Sequence, residues 1–485
     1  MDKVRIRFAP SPTGLLNLRR ARIALFNWLF AQAYKGTLIL RIEDIDQDRS
    51  SPEVEESITA DLRWLGIGWD EGPDKGGPYG PYRQSERDNI YTRFINRLIE
   101  DGFSYQCFCD EEELAEQRRE MLSHGETPRY TGRCRNLTDE DRTRLMADGR
   151  TPVVRFRTSG GEAITFTDLI QGVVEVKNEG PNDFIIVNAD GLPTYNFAVV
   201  LDDHLMGISH VIRGDEHLTN TTRQIMLYEA LGWKPPQFAH FPSLADEEGR
   251  LSATVGLDTV DEYRRRGYLP QALANFLLSI GWAGMKKPFF SLAEASKKFR
   301  LEQINQVPAV FDLGKLREIN NFYLKKSSPE RVLELALPYL KEAGYVSDPD
   351  EGQRTWLLQL IETMRSELDE VAEISHKASF FFEAKVQPES GKAKQVLREE
   401  QVPAVFDAVL ERLDDLADYK VAHIRRELRQ LCKDMDLTTR RVYLPLRIAL
   451  TGRLRGPEIF RIIALLGPDQ VKARLQAVQQ LNFYH

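Results

Sequence analysis

Residues 4–28 read VRIRFAPSPTGLLNLRRARIALFNW, and this stretch decides the fold that the sequence predicts. Apolar and polar residues alternate from Val4 to Phe8, which is typical of a strand. Prolines and a glycine break the pattern over 10–14, and from Ala21 onward apolar residues recur at helical spacing. A strand that leads through a tight loop into a helix usually forms the phosphate-facing corner of a doubly wound α/β fold. We therefore expect the helix-end amides at this corner to favour an anion.

Length and composition limit the class of protein. The chain has 485 residues, 42% of them hydrophobic and 28% charged, with a net charge of −8 and four cysteines. This length predicts about three domains, and no apolar run approaches the ~20 residues that a membrane span needs. The first residues, MDKVRIRFAP, contain no apolar segment of a signal peptide. The sequence therefore predicts a cytoplasmic protein that has no membrane span and no disulfide framework.

The rest of the chain continues the α/β pattern before it becomes helical. A buried strand is predicted over Thr37–Glu43, and it ends in the acidic run EDID at 43–46, where ligands sit in open α/β sheets. From Pro288 onward helical periodicity dominates. No GxGxxG motif follows the first strand, which argues against a dehydrogenase-like dinucleotide-binding enzyme. Helices are also predicted over 50–65 and 91–101, and strands over 152–157, 164–169 and 183–187.

Three of the four cysteines lie close together in the sequence and suggest a metal site. Cys107 and Cys109 are separated by one residue, and Cys134 follows with Tyr130 shortly before it. Zinc favours four nitrogen, sulfur or oxygen ligands in a tetrahedron, which three thiolates and the Tyr130 phenolate would complete. The alternative is three unliganded thiols in a reducing compartment. If zinc is bound, we expect its role to be structural, because no open coordination position is implied.

Two long runs resemble one protein family. Residues 7–14 read RFAPSPTG, and residues 190–217 read DGLPTYNFAVVLDDHLMGISHVIRGDEH. Both closely resemble the glutamyl-tRNA synthetases, a family of class I aminoacyl-tRNA synthetases, and so does the run LPLRIALTGR at 444–453. The resemblance implies an α/β Rossmann-type doubly wound catalytic domain with an α+β insertion, followed by a mostly α-helical anticodon-binding region. It also implies ATP with Mg²⁺, glutamate and a glutamate-accepting tRNA as ligands, and a monomeric protein.

The resemblance divides the chain into five segments. It implies a catalytic domain in two halves, 1–106 and 189–240, separated by an acceptor-stem-binding insertion at 107–188. A linking helical domain at 241–326 carries a second ATP-binding loop, and an α-helical anticodon-binding domain occupies 327–485. The clustered cysteines fall in the insertion, where many bacterial members of the family carry the same C-x-C…Y-x-x-x-C pattern.

A basic stretch late in the chain is the candidate tRNA surface. From Arg425 to Arg461 there are ten Lys or Arg against four Asp or Glu, although the chain as a whole is acidic. A solvated helical surface would show the same excess, so charge alone leaves both interpretations open. The candidate tRNA contacts within this stretch are Arg440, Arg441, Arg447 and Arg453.

The glutamate pocket that the resemblance implies is intact in the sequence. Such a pocket must hold two carboxylates, which suit arginine, and one ammonium group, which suits an acid. The positions that match the family are Arg7, Ala9, Ser11, Glu43, Tyr195 and Arg213. Structural alternatives exist, since Arg7 in a strand can form an edge salt bridge and Tyr195 can belong to the core. Acidic pairs at 202–203 and 215–216 would also need a compensating cation, and Arg213 lies between them in the sequence.

Both ATP-binding motifs of the family are altered in this chain. Where the family has a HIGH-type tetrapeptide, the sequence reads Asn17-Leu18-Arg19-Arg20. Where the family has a KMSKS-type loop, it reads Arg250-Leu251-Ser252-Ala253-Thr254. The first motif commonly reads HIGG or HVGG in the family, so long arginine side chains replace its two glycines. The second motif loses its lysine, because Ala253 stands at that position. Removing one preorganised donor typically slows a reaction by about 10²–10³.

These alterations leave three interpretations open. The chain is a glutamate–tRNA ligase in which Asn17, Arg19, Arg20 and Arg250 serve the phosphates of ATP. Alternatively, it is a catalytically inactive paralogue that binds tRNA, glutamate or glutamyl-tRNA as a carrier, regulator or partner. The third interpretation is that both motifs were replaced deliberately to make an inactive enzyme. ATP binding discriminates between the first two, because a ligase must bind ATP and a carrier or regulator need not.

Overall fold

A computed structural model of the chain describes residues 3–159, 163–176, 183–246, 248–250, 256, 258–414, 416 and 418–480. The chain divides into two compact units, one comprising Met1–Asp261 with Leu273–Asp312 and the other Glu262–Ala272 with Leu313–His485. The first unit is α/β and the second is helical, which confirms the predicted Rossmann-type fold with a helical C-terminal region. The finer division into five segments remains a prediction.

The secondary structure of the first unit alternates strands and helices. Its strands are β1 Arg5–Phe8, β2 Thr37–Leu40, β3 Ser104–Cys107, β4 Val153–Phe156, β5 Ile164–Asp168, β6 Gly172–Val176, β7 Phe184–Val187, β8 His210–Gly214, β9 Gln237–Phe241, β10 Leu244–Ala245 and β11 Ala309–Val310. Its helices are α1 Leu18–Ala33, α2 Pro52–Trp64, α3 Asp88–Glu100, α4 Glu111–Ser123, α5 Asp139–Ala147, α6 Tyr195–Leu205 and α7 Leu218–Ala230. Helices α8 Val260–Arg265 and α9 Pro270–Ser279 contain residues of both units, and α10 Leu292–Lys298 follows in the first.

The main sheet has six strands in the order β2-β1-β8-β9-β5-β6. All neighbouring pairs are parallel except β5 and β6, which form an antiparallel hairpin. A separate antiparallel sheet has the order β3-β4-β7. Since β1, β8, β9 and β5 run in the same direction, their carboxyl ends lie along one edge of the main sheet, the edge where ligands bind in such folds.

The strand predicted over 164–169 forms, but it does not lie where we expected it. We expected it within the insertion, and the structure pairs β5 with β9 of the main sheet instead. Ile164 and Phe166 pack against the apolar cluster of the main sheet, which includes Val211 and Phe238. Local periodicity predicts a strand but does not identify its partner, because that choice is made by contacts distant in sequence.

Helix α1 begins three residues before its predicted start at Ala21. Asn17 precedes it as the N-cap, with its side-chain oxygen accepting a hydrogen bond from the Arg20 amide at 2.9 Å. The helix is buried along most of its length, and the Phe26 ring packs 4.5 Å from the ring of Phe241 on β9. This packing holds the first turn of α1 beside the carboxyl ends of β1 and β8.

The second unit is helical in the residues described. Its helices are α11 Leu313–Lys326, α12 Pro329–Glu342, α13 Glu351–Met364, α14 Ile374–Lys377, α15 Gly391–Leu397, α16 Val402–Asp414, α17 Val421–Asp434, α18 Thr439–Thr451 and α19 Ile459–Gln480. Gly452 ends α18 with a φ of 74°, a left-handed conformation that glycine adopts without strain. None of the helices in the described ranges is both long and apolar enough to span a bilayer.

Candidate functional site

A cavity of about 490 Å³ opens beside the first turn of α1. It lies at the carboxyl-end edge of the main sheet, with residues of β1, β8 and β9 in its wall. The six residues predicted for glutamate binding all line it: Arg7, Ala9, Ser11, Glu43, Tyr195 and Arg213. The structure therefore brings together side chains as distant in the sequence as Arg7 and Arg213.

The acidic pair at 202–203 is compensated by buried arginines. Asp203 accepts from Arg7 Nε at 3.0 Å and from Arg41 at 2.7 Å, and Asp202 accepts from Arg87 Nε at 2.7 Å. Burial alone raises the pKa of the Asp203 carboxyl, but Arg7 and Arg41 outweigh it and hold that pKa below its ordinary value. Arg213, which lies between the two acidic pairs in the sequence, donates no hydrogen bond to Asp202 or Asp203 among the described contacts, but the charge of Asp203 acts on it and opposes the lowering of its pKa by burial.

Arg213 is buried and bound only to neutral groups. Its Nε donates to His240 Nε2 at 3.2 Å, and the same guanidinium donates to Thr221 Oγ1 at 2.6 Å and to Gln224 Oε1 at 2.9 Å. Its remaining nitrogen, NH1, has no hydrogen-bond partner among the described residues. Burial lowers the pKa of Arg213, and the nearby Tyr195 and Asp203 only partly oppose that fall. A buried cation that lines a cavity and has a donor without a partner suits a ligand carboxylate.

Glu43 is a buried acid of the cavity wall, which also includes the more exposed Glu216. Glu43 accepts a hydrogen bond from Arg41 at 3.3 Å and lies at the end of the β2 segment. Burial raises the pKa of Glu43, while the nearby Arg41 and Arg7 oppose that rise. The cavity thus places an acid and two arginines, Arg7 and Arg213, around one space. That combination can bind a molecule that carries both carboxylates and an ammonium group.

The first-turn amides of α1 are already occupied, contrary to our expectation from the sequence. The Leu18 amide donates to the Asp258 carbonyl at 3.0 Å, and the Arg19 amide donates to the Gly256 carbonyl at 3.2 Å. The Arg20 amide donates to Asn17, as described above. An anion at this corner would therefore be bound by side chains, because the backbone donors are used within the chain.

The altered ATP-motif residues lie around this corner. Asn17, Arg19 and Arg20 line the cavity, whereas Leu18 is buried in the core. The Asn17 oxygen caps α1, so its amide nitrogen is the atom left to donate to a ligand. A side chain at Gly256, which has a φ of 70°, would come 3.1 Å from Arg19 Cγ, so the Arg19 side chain lies close against that glycine.

The second altered motif is described only in part. Leu251, Ser252, Ala253 and Thr254 lie outside the described residues. Arg250 is largely exposed, and its guanidinium pairs with Asp246 at 3.0 Å and with Glu248 at 2.9 Å. These acids would have to release Arg250 before it could bind a phosphate.

The cysteine cluster has dimensions that fit a tetrahedral metal ion. The sulfur atoms of Cys107, Cys109 and Cys134 all lie within 4.8 Å of one another, and the Cys109 and Cys134 sulfurs are 3.6 Å apart. The Tyr130 hydroxyl lies 3.3 Å from the Cys107 sulfur and 3.8 Å from that of Cys109. Zinc–sulfur bonds of about 2.3 Å in a tetrahedron place the sulfurs about 3.8 Å apart. The residues present therefore fit the ion.

The four candidate tRNA residues of the second unit have different surroundings. Arg447 and Arg453 line a cavity of about 190 Å³ with Lys377 and Arg455. Arg447 donates to the Pro457 carbonyl at 2.5 Å, and burial lowers its pKa. Arg440 and Arg441 are instead exposed in the first turn of α18.

Sequence reasoning missed the residues that hold the predicted ones in place. Arg41 lies inside the strand predicted over 37–43 and directly after β2 in the structure. A buried arginine needs an acid, so this residue could have been noticed from the sequence. His217 lines the cavity, and burial together with Arg213 lowers its pKa to about 3. No sequence pattern pointed to Asp168, His240, Thr221 or Gln224, which surround Arg213.

Comparison with known proteins gives consistent matches over nearly the whole chain. The family described as tRNA synthetases class I (E and Q), catalytic domain, matches residues 3–318, and the anticodon binding domain family matches residues 331–479. The chain is similar to the glutamate–tRNA ligase of Carboxydothermus hydrogenoformans, with 45% identity over 97% of this chain and 99% of that protein. It is also similar to the one from Desulforamulus reducens, with 44% identity over 98% of this chain and 99% of that protein. Among solved structures, a glutamate tRNA ligase from Elizabethkingia meningosepticum in complex with its amino acid matches with a TM-score of 0.85 and 33% identity, covering 99% of this chain and 100% of that one.

Proposed function

This chain belongs to the glutamate–tRNA ligase family of class I tRNA synthetases, and we propose that it binds glutamate in the cavity beside α1, activates it with ATP and Mg²⁺, and transfers it to a tRNA. The proposal takes the amino acid and the reaction from the relatives. The observation that supports it is the unused NH1 donor of buried Arg213.

The charged side chains that line the cavity support its assignment as a glutamate pocket. Arg213 has only neutral partners, so a ligand carboxylate would supply the negative charge that its burial lacks. Arg7 differs, because Asp203 already neutralises it, and it can share a second carboxylate only through its remaining donors. Glu43 lies within the same cavity and suits the ammonium group. A ligand without a carboxylate would leave Arg213 unpaired, so the cavity favours an amino acid that presents a carboxylate to it.

In the proposed reaction, the α-carboxylate of glutamate attacks the α-phosphorus of ATP and pyrophosphate leaves. The terminal hydroxyl of the tRNA then takes the acyl group. Such chemistry depends on positioning and charge stabilisation. The side chains that line this part of the cavity are Asn17, Arg19 and Arg20, and we propose that they bind the phosphates, because the backbone donors of α1 are occupied.

The second candidate function is binding of glutamate and tRNA without activation. It is favoured by Arg19 and Arg20, whose long side chains line the part of the cavity next to α1. Glycines at these positions would leave that space open to a nucleotide base. In this function the chain is an inactive paralogue that acts as a carrier, regulator or partner.

Transfer of radiolabelled glutamate to total tRNA separates the two candidates. The reaction contains ATP, Mg²⁺ and a high concentration of the protein, and the control is Arg213→Gln. Charged tRNA that disappears in the control would support the ligase. Absence of charging, combined with a gel shift of tRNA and calorimetric binding of glutamate, would support the binding protein. Absence of glutamate binding would overturn both.

We also propose a structural zinc ion at Cys107, Cys109, Cys134 and Tyr130. The distances among their donor atoms support it, and zinc would link β3 to the segment after α4 by fixing these side chains. The remaining proposals come from family membership: a glutamate-accepting tRNA as the partner, with Arg440, Arg441, Arg447 and Arg453 as candidate contacts, and a cytoplasmic monomer.

A further inference from the structure

An acid, a histidine and an arginine on three neighbouring strands of the main sheet are linked by hydrogen bonds. Asp168 ends β5, His240 lies on β9, and Arg213 lies on β8, directly opposite His240 in the strand register. The Asp168 carboxylate lies 2.7 Å from His240 Nδ1, and His240 Nε2 lies 3.2 Å from Arg213 Nε. All three side chains are buried, and only Arg213 lines the cavity.

Asp168 is held rigidly and remains ionised. Its Oδ1 accepts from the amides of Ile170 at 2.9 Å and Gln171 at 2.8 Å, and its Oδ2 accepts from the His240 amide at 3.1 Å. Burial alone raises the pKa of Asp168, but the hydrogen bonds from His240 and from these amides outweigh it and lower the pKa below its ordinary value. A carboxylate held in this way accepts a hydrogen bond from His240 Nδ1–H and cannot donate one.

Arg213 determines the protonation state of the second ring nitrogen of His240, Nε2. A guanidinium can only donate, so the contact of Arg213 Nε with His240 Nε2 requires that Nε2 accepts and carries no proton. The Thr221 hydroxyl also lies 2.9 Å from Nε2, and it can donate to an unprotonated nitrogen there. The proton of the neutral ring then resides on Nδ1, which matches the acceptor character of Asp168. The opposite tautomer would direct an N–H at another N–H across 3.2 Å.

We infer that His240, fixed in its Nδ1–H tautomer by Asp168, is a positioning residue that orients Arg213 so that its NH1 donor faces a carboxylate of the bound amino acid. The inference rests on the proposed glutamate pocket and adds two residues to it, neither of which touches the ligand. Thr221 and Gln224 hold the opposite nitrogen, NH2, so Nε and NH2 together fix the plane of the guanidinium and leave NH1 for the ligand.

Two substitutions of the histidine separate positioning from simple packing. In His240→Asn the side-chain amide can keep the hydrogen bond to Asp168 but has no atom at the position of Nε2. In His240→Gln the side-chain oxygen can reach the position of Nε2 and accept from Arg213. If His240 positions Arg213, His240→Asn should raise the dissociation constant for glutamate at least ~10-fold, and His240→Gln should raise it by less than ~3-fold. If His240 only supplies a hydrogen bond to Asp168, His240→Gln should instead raise the dissociation constant for glutamate more than His240→Asn does.

Substitution of the acid tests the tautomer directly. Asp168→Asn can donate to Nδ1 and should move the proton to Nε2, which ¹⁵N chemical shifts of labelled histidine report, with His240→Gln used to assign the signal. The matched control is Asp183→Asn, which removes another buried carboxylate, one bound to Tyr105 and Thr158 in the separate sheet. The experiment uses the full chain and isothermal calorimetry, which reports the dissociation constant and the fraction of competent sites separately.

The expected result is a tautomer change and weaker glutamate binding in Asp168→Asn, with an unchanged dissociation constant in Asp183→Asn. A wild-type His240 protonated on Nε2 would overturn the inference. So would equal dissociation constants in wild type, Asp168→Asn and His240→Asn, even if the competent fraction falls. If the wild-type chain binds no glutamate, the proposed function fails instead, and the ligand named here fails with it. The tautomer measurement would still show whether Asp168 fixes His240.

Discussion

Asp203→Asn tests whether the buried ion network supports both the fold and the cavity. Asp203 is 2% exposed and is bound to Arg7 at 3.0 Å and to Arg41 at 2.7 Å. The substitution keeps the shape of the side chain but removes the charge that both guanidiniums share. Breaking a buried ion pair by removing one partner costs about 3–5 kcal/mol, because the other charge stays buried without compensation. Arg41 keeps Glu43 at 3.3 Å, so Arg7 is the arginine that loses its ion-pair partner, and we expect a cost within that range.

This loss of unfolding free energy can be measured as a shift of the thermal unfolding midpoint. At about 2 °C per kcal/mol for a large domain, Asp203→Asn should lower the midpoint of the first unit by about 6–10 °C. The dissociation constant for glutamate should also rise, because Arg7 is released from its position. The control is Asp46→Asn, which removes an exposed partner of Arg49, a type of pair that contributes little. A midpoint within about 2 °C of wild type for Asp203→Asn would refute the reasoning.

The pH dependence of the same pair has a definite sign. Arg7 and Arg41 hold the pKa of Asp203 below its ordinary value of about 3.9. The stabilisation from Asp203 is therefore fully present above about pH 4 and is lost as the pH falls through the lower, folded-state pKa. The midpoint difference between wild type and Asp203→Asn should be constant from pH 5 to pH 8 and should shrink only under stronger acid.

Three further predictions concern the altered motif, the metal and the tRNA. If Arg19 and Arg20 block a nucleotide base, ATP should not shift the melting temperature of the wild-type chain. It should shift that of the double variant Arg19→Gly, Arg20→Gly. A clear shift of the wild-type melting temperature at millimolar ATP would contradict this prediction. Elemental analysis should find about one zinc per chain, and Cys107→Ser should remove it. The control Cys432→Ser, which replaces the buried cysteine on α17, should leave the zinc in place. Equal zinc content in both variants would exclude the site. Charge reversal of exposed Arg440 and Arg441 should weaken tRNA binding and flatten its dependence on salt, whereas reversal of exposed Arg118 and Arg119 on α4 tests whether any basic pair has the same effect.

Local sequence patterns were sufficient for the elements around the cavity. The alternation before Pro10 and the helical spacing after Ala21 correctly predicted β1 and α1, because each signal comes from residues adjacent in the chain. Boundaries were less accurate, and α1 starts earlier because Asn17 caps it. The six candidate glutamate residues came from the family resemblance, and their common location in one cavity is a property of the structure.

The sequence by itself determined the α/β pattern, the helical C-terminal region, the family and the altered motif at 17–20. Only the tertiary structure decided which strand pairs with which, and so moved β5 beside β9 and brought Asp168 to His240. It also decided that Arg7 and Arg41 neutralise Asp203, while Arg213 keeps an unused donor. The physical reason is that burial and charge compensation depend on contacts between residues far apart in the chain. Periodicity reports only which face of an element is apolar, and not which charge lies against it.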